Sequence, residues 1–273
     1  MNTPDVVVVT GVGGMGAAVA RRLGSGRTLL IADTVPDHLD RTLTALRAEG
    51  YDARGRITDI ADQPAVAELA ASAAELGRLA AVVHTAGVSA AGSTVDTIMR
   101  VDLAGTAYLI DAFEPLAGHG TAIVCVASMA GHYARLGADD EHTLATTPTA
   151  GLLDLDLITG FTGDPVGAYI LAKRANQVRV QAAALAYSRR GARINTISPG
   201  VVSTAMARAE QQSSSGEHMM AMLQACGAGR TGTPAEIADA AAFLTGPHSL
   251  YITGTDLLVD GGQAAWLRHH RPS

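Results

Sequence analysis

Tyr169 and Lys173 stand four residues apart, and Gly11, Gly13, Gly14 and Gly16 crowd a short stretch near the start of the chain. These are the residues whose types and spacing could do chemistry. On a helix, positions i and i+4 share a face one turn apart, so the phenol and the amine would lie side by side. A free phenol, with a pKa of about 10, is a poor base at neutral pH. An ammonium about 4 to 5 Å away, in an effective dielectric near 20, favours the phenolate by roughly 3 to 4 kcal/mol. At about 1.4 kcal/mol per unit this lowers the phenol pKa by roughly two to three, into a range where it can exchange protons. Most Tyr and Lys pairs at this spacing are only a packed phenol beside a solvated amine. The rest of the chain decides between the two.

Gly11-Val12-Gly13-Gly14-Met15-Gly16 follows a β-branched run, residues 6–10, and opens a segment of helical character. That is G-x-G-x-x-G in the context that gives the motif meaning. Glycines let the backbone turn sharply and approach a pyrophosphate more closely than a Cβ would permit, with helix-terminal N–H groups facing the phosphates. Asp33, 20 residues beyond Gly13, ends the second strand where a carboxylate can accept hydrogen bonds from an adenosine ribose. It would also repel a 2'-phosphate, and residues 34–40 contain no Lys or Arg to offset it. NAD is therefore expected over NADP, although an Asp after a strand can also be a simple helix cap. Asp59 and Ile60, in Thr58-Asp59-Ile60, could reach the adenine, or Asp59 could cap the helix that begins near Asp62.

The elements that must position these residues follow an alternating pattern. Short apolar runs at 6–10, 28–32, 53–57, 79–84, 121–127, 193–198 and 256–259 read as strands. Helical segments are expected at 15–23, 36–49, 64–76, 97–116, 167–189 and 234–244. This is the signature of repeated βαβ units: an α/β Rossmann fold with a doubly wound, seven-stranded parallel sheet and helices on both faces. One domain over residues 1–273 is expected, with an insertion at about 133–166 and a polar, Met-rich cap at about 204–229. The tail 268–273 reads as frayed.

Of the 273 residues 48% are hydrophobic, 17% charged and only 4% aromatic, which supports a large core of small aliphatic side chains and excludes disorder. A net charge of -6 gives no general attraction for nucleic acid or an anionic membrane, so small-molecule chemistry fits better. Cys125 and Cys226 form no CxxC or metal-ligand spacing. With no signal-peptide pattern and no apolar run of roughly 18 residues, a cytoplasmic protein is expected. His142, His218, His269 and His270 lack metal-ligand spacing. His132 could touch a substrate or face solvent. Met206, Met219, Met220 and Met222 could form an adaptable apolar lid or simply face a core.

Taken together, the chain resembles the short-chain dehydrogenase/reductase family over nearly its whole length. The family's YxxxK motif is Tyr169-Ile170-Leu171-Ala172-Lys173, its strand-five serine is Ser128, and Ser198-Pro199-Gly200 matches the loop that embraces a nicotinamide. His84-Thr85-Ala86-Gly87 stands where Asn-Asn-Ala-Gly is usual. Gly229-Arg230, Tyr251-Ile252-Thr253-Gly254 and Val259-Asp260-Gly261-Gly262 match the C-terminal part. The resemblance implies hydride transfer between a nicotinamide and a secondary alcohol or ketone, a steroid being one candidate. Ser128 would hydrogen-bond the substrate oxygen, Tyr169 would exchange the proton, and Lys173 would lower the phenol pKa and hold the nicotinamide ribose. Met15, Thr85, Ala86, Gly87, Pro199, Gly200, Val202 and Thr204 would join the glycines, Asp33, Asp59 and Ile60 around the cofactor.

Three departures from the family pattern stand out. Asp102, in Val101-Asp102-Leu103-Ala104-Gly105, replaces an Asn that supports a water chain to the lysine. Asp serves if the relay uses a backbone carbonyl in a locally distorted helix, the relay is altered if it uses the amide, and a plain surface carboxylate is the further alternative. The glycine spacing is one residue shorter than the usual TGxxxGxG. The step from Ser128 to Tyr169 spans 41 positions, as in the bacterial 3α-hydroxysteroid dehydrogenase/carbonyl reductase branch, whose insertion blocks one helix-to-helix subunit contact. A homodimer is accordingly expected rather than a tetramer. A cofactor-binding regulatory or scaffold protein on the same fold is the alternative to an enzyme, and a mere binder has no need of Ser128, Tyr169 and Lys173 together.

Overall fold

The computed structural model describes residues 3–212 and 216–270, with only the backbone described at 209, 210, 218, 219 and 225. Seven strands form one sheet: β1 (Asp5–Thr10), β2 (Thr28–Asp33), β3 (Asp52–Ile57), β4 (Arg78–His84), β5 (Ala122–Val126), β6 (Arg193–Pro199) and β7 (Asp256–Val259). Their order is β3-β2-β1-β4-β5-β6-β7, and every pairing is parallel. The helices are α1 (Met15–Leu23), α2 (Pro36–Ala48), α3 (Gln63–Leu76), α4 (Val95–Ile98), α5 (Gly105–Phe113), α6 (Ala138–Thr146), α7 (Asp156–Thr159), α8 (Pro165–Arg189), α9 (Ala205–Gln211), α10 (Gly216–Ala225), α11 (Pro234–Thr245) and α12 (Gln263–His269).

Alternation along β1 shows how one sequence builds two cores. Val6 and Val8 pack with Leu69, Leu109, Phe113 and Val180 on one face of the sheet. Val7 and Val9 pack with Val19, Leu43, Ile237 and Leu244 on the other. All four valines have no exposed surface, so the strand reads as a continuous apolar run rather than an alternating one. Residues 133–166 supply a third cluster: Leu144, Leu152 and Ile158 bury against Ile98, Leu103, Leu171 and Ala175.

Two expectations need correction. The helix expected at 97–116 runs in three sections, α4, a π-helical turn over Met99–Ala104, and α5, the wide turn closed by Gly105 N–H donating to Arg100 O. The chain past residue 267 is not a frayed tail throughout: Arg268 and His269 form the last turn of α12, and residues 271–273 lie outside the described residues. The remaining strand and helix limits fall within about two residues of the expected ones.

The strand order turns back between β1 and β4, which opens a crevice beyond their carboxyl ends where ligands bind in open α/β sheets. The glycine run leaves β1 at that point, and His84 to Gly87 leave β4 beside it.

Candidate active site

At the nucleotide end, Gly11 has φ +78°, and a Cβ there would come within 2.5 Å of the Ala86 backbone. Only glycine lets the turns after β1 and β4 touch. Thr85 fastens them, its hydroxyl at 2.8 Å from Thr10 O and 2.6 Å from Gly11 O. Asp33 is almost buried, with Oδ2 accepting Val12 N–H (2.9 Å) and Oδ1 accepting Val35 N–H (2.9 Å). A carboxylate so held keeps lone pairs for a ribose hydroxyl. Across the crevice, Thr204 caps α9 through Ala207 N–H and sets its methyl 3.3 Å from where a Cβ on Gly14 would lie. The cradle thus fits a dinucleotide: glycine backbone on one wall, and Pro199, Gly200, Val202 and Thr204 on the other. Asp59 stands exposed after β3 with Oδ1 accepting Ala61 N–H, whereas Ile60 is buried against Gly105. Asp59 therefore does not cap α3, whose first turn receives no side-chain hydrogen bond from Asp62 either.

The reacting end lies on α8, a 25-residue helix started by Pro165 and by Asp164 Oδ1, which accepts Gly167 N–H at 2.8 Å. One turn in, the Lys173 ammonium lies 5.2 Å from the Tyr169 ring centroid. Tyr169 and Ser128 line the same cleft, about 1150 Å³, together with Met15, Pro199, Gly200, Val202 and Thr204. Ser128 begins a 3-10 turn, its Oγ accepting Ala130 N–H at 3.1 Å, so the hydroxyl hydrogen is left to donate to a ligand.

Beneath Lys173 sits Asp102, with no exposed surface and Oδ1 at 3.4 Å from Nζ. The reading of Asp102 as a surface carboxylate is therefore wrong. Its Oδ1 also accepts Val88 N–H at 3.0 Å. Gly87 makes room, since a Cβ there would lie 2.7 Å from Asp102 Oδ1 and 3.3 Å from Lys173 Nζ. Burial raises the Asp102 carboxyl pKa against the opposing pull of Lys173. Burial works against the Lys173 ammonium too, but Asp102 and then Tyr169 carry its pKa above the usual lysine value. Both lone pairs of the Asp102 carbonyl are taken, by Asn176 Nδ2 (3.0 Å) and Thr106 Oγ1 (2.8 Å). What meets the lysine is the carboxylate, not the backbone.

The same network fixes the His84 tautomer. Thr106 spends its proton on the Asp102 carbonyl, so His84 Nε2 donates to it at 3.2 Å, and Thr10 Oγ1 donates to Nδ1 at 2.7 Å. Burial, then the Lys173 charge, hold this imidazole down to a pKa of about 3, so it stays neutral.

Residues 5–138 match the family model described as short chain dehydrogenase, and residues 152–264 match one described as Enoyl-(Acyl carrier protein) reductase. A short-chain dehydrogenase/reductase, bsc3 of Alternaria brassicicola, is 39% identical over 96% of this chain and 97% of its own. The chain belongs to the short-chain dehydrogenase/reductase family. The 3-alpha-hydroxysteroid dehydrogenase/carbonyl reductase of Comamonas testosteroni is 30% identical, over 83% of this chain and 92% of its own. Among solved structures, a blue fluorescent protein from a metagenomic library, in complex with NADPH, superposes with a TM-score of 0.75 at 26% identity, covering 95% of this chain and 98% of that one. Family membership makes the protein an oxidoreductase of alcohol and ketone groups on a fold that binds nicotinamide cofactors.

Within this short-chain dehydrogenase/reductase, sequence alone left several polar residues unread. Asn176 and Gln177 are fully buried on α8. Gln177 Nε2 donates to Ser198 Oγ (2.9 Å) and reaches Ser128 O (3.4 Å). Asp256, at the start of β7, accepts from Thr196 Oγ1 (2.6 Å) and Ser198 Oγ (2.8 Å), and its other oxygen is 2.7 Å from His132 Nε2. His132 lines the cleft, yet its ring nitrogen is bound to this network, which ties the turn after Ser128 to β6, β7 and α8. Met206 and Met222 also line the cleft, whereas Met220 is exposed and the Met219 side chain lies outside the described residues. No cluster of His, Cys, Asp and Glu suited to a metal occurs among the described residues. No described helix is long and apolar enough to cross a membrane.

Proposed function

We propose that the protein is an NAD(H)-dependent dehydrogenase/reductase of secondary alcohols and ketones, with Tyr169 as the proton-transfer residue. The observation that carries this reading is the convergence of Tyr169 and Ser128 on one cleft, with the Lys173 ammonium 5.2 Å from the phenol ring centroid. A bound nicotinamide dinucleotide would supply the hydride acceptor in one direction and the hydride donor in the other. Ser128 Oγ orients the substrate oxygen by donating a hydrogen bond to it. Tyr169 Oη accepts the hydroxyl proton as the alcohol is oxidised and returns one to the oxygen as a ketone is reduced. Lys173 favours the phenolate by its charge, and Asp102 holds that ammonium in place. Gly11, Gly13, Gly14, Met15 and Gly16 would seat the pyrophosphate, Asp33 the adenosine ribose, and Asp59 and Ile60 the adenine. Thr85, Ala86, Gly87, Lys173, Pro199, Gly200, Val202 and Thr204 would surround the nicotinamide half. Hydroxysteroids are among the substrates to try, in view of the Comamonas testosteroni relative's name.

NAD is favoured because the Asp33 carboxylate would face a 2'-phosphate, with no Lys or Arg in residues 34–40 to offset it. We also place the protein in the cytoplasm as a homodimer, with residues 133–166 as an insertion and 204–229 as a cap over the substrate. Replacing Tyr169→Phe should abolish turnover in a screen of alcohols and ketones followed by NADH absorbance, while dinucleotide affinity stays within about twofold. Near-normal turnover in that variant would refute the mechanism. A higher kcat/KM with NADP than with NAD would overturn the cofactor assignment.

A further inference from the structure

We propose that the natural substrate carries an acidic group, a carboxylate or similar oxyanion, and that Arg135 and Arg268 bind it at the mouth of the cleft while its hydroxyl or carbonyl lies at Ser128 and Tyr169. The inference rests on the oxidoreductase reading above and specifies its substrate class. Both arginines line the cleft. Arg135 follows the 3-10 turn that begins at Ser128, and Arg268 lies in the last turn of α12. Tyr133, which ends that turn two residues before Arg135, also lines the cleft and feels the charges of Asp260 and Arg268. This is the substrate side of the cleft, whereas the phosphates are provided for by the glycine turn after β1.

Most of the other arginines are engaged, although Arg41 and Arg189, which lie outside the cleft, are likewise without an ion pair among the described residues. Nine arginines lie within ion-pair distance of a carboxylate. Arg179 and Arg193 are buried and spend their protons on carbonyl and hydroxyl oxygens. Arg135 and Arg268 have neither kind of partner among the described residues, although the net charge of -6 leaves carboxylates in excess. The one carboxylate of the lining, Asp164, is engaged by Gly167 N–H at the start of α8. The remaining wall is largely apolar, with Met129, Val166, Met206, Met222 and Leu267. A ligand with an apolar body, an oxygen function at one end and an anion at the other would match every part of this lining. Guanidinium forks suit an oxyanion better than a point charge would, because they bind it bidentately.

The test uses matched pairs differing only in charge: 4-oxopentanoate, 6-oxoheptanoate and 4-oxocyclohexanecarboxylate, each against its primary amide. Binding to the protein with NADH is measured by calorimetry, and reduction is followed by NADH absorbance. The acid of at least one pair should bind about tenfold more tightly than its amide, with the difference appearing in KM rather than kcat. That preference should shrink at 0.5 M salt and fall to about twofold or less in the Arg135→Gln, Arg268→Gln double variant, while NADH affinity is retained. Amides that bind as well as acids in all three pairs would overturn the proposal. So would a preference that survives the double substitution, or a double variant that loses NADH affinity instead, which would assign the arginines to the dinucleotide. Tight, arginine-dependent binding of an acid with no reduction of any ketone would leave the anion site standing and count against the oxidoreductase reading alone.

Discussion

Lys173 is the only lysine of the chain, and the other 19 of its 20 basic residues are arginines. A guanidinium is a planar fork, while an ammonium is a compact point charge that fits between the Tyr169 ring, Asp102 Oδ1 and the bare Cα of Gly87. The carboxylate beside it has a price in reactivity, because a negative charge near the phenol opposes phenolate formation. Asp102→Asn should therefore leave Lys173 less compensated and stabilise the Tyr169 phenolate. Alcohol oxidation rises as the phenol loses its proton, so its pH–rate profile should move to lower pH, by about one unit. An unmoved profile would mean that Asp102 is already neutral at the working pH and plays no electrostatic part. The Tyr169–Lys173 pair and the glycine run could be singled out in the sequence because their spacing is local, and Ser128 because it matches a family position; the structure places Tyr169 and Ser128 on one cleft. The burial of Asp102, the bonds of Asn176 and the His132–Asp256 contact were not legible, because each is made by packing between distant segments, the last across 124 positions.

At the scale of elements, the strands and the helices packed on the sheet were legible because apolar periodicity is the direct imprint of facing a core. The π turn over Met99–Ala104 was hidden, since its composition is that of an ordinary helix. Its wide turn is instead supported from outside: the Asp102 carbonyl finds its donors in Thr106 and in Asn176 of α8. Helix α12 was hidden for another reason, being seven residues long and entered through Gly262 at φ +89°, with its first turn capped from two residues further back by Asp260, whose Oδ2 accepts Ala264 N–H at 2.7 Å. The composition of 133–166 gave no sign of how firmly that segment docks. Its anchor is Arg179, which reaches out of α8 to donate to Leu144 O and Thr147 O, both at 2.9 Å, and to Thr149 Oγ1 at 3.1 Å. Arg179→Ala removes all three donors from a mostly buried site, and the loss should be about 2 to 4 kcal/mol. Hydrogen exchange would show where the loss falls: residues 138–154 should lose protection before the sheet does. Unchanged protection of that segment would show that the apolar contacts of Leu144 and Leu152 hold it without the arginine.

For the whole molecule, the two edges of the sheet are treated differently. β3 presents Asp52, Arg54 and Arg56, and Arg54 pairs with Asp52 and Arg56 with Glu68, the kind of charged edge that resists association. β7 has only four residues, and around it stand Leu258 (37% exposed), Phe243 (42%), Leu250 (70%) and Tyr251 (103%). Under the homodimer proposed above, these large apolar side chains at one edge are the surface a second copy would cover. On α8, by contrast, Leu171, Ala175 and Val178 are already buried against Leu144 and Leu152, which leaves less of that helix for a subunit contact. The proposed homodimer, as against a tetramer, would use the first face and leave the second. Light scattering should give twice the 27.9 kDa of one chain. The double substitution Leu250→Glu, Tyr251→Lys should shift that mass to the monomer with little loss of fold stability, since neither side chain is buried within the subunit. A tetramer would show that α8 remains available for contact despite residues 138–159, and a dimer indifferent to the substitution would place the contact away from β7.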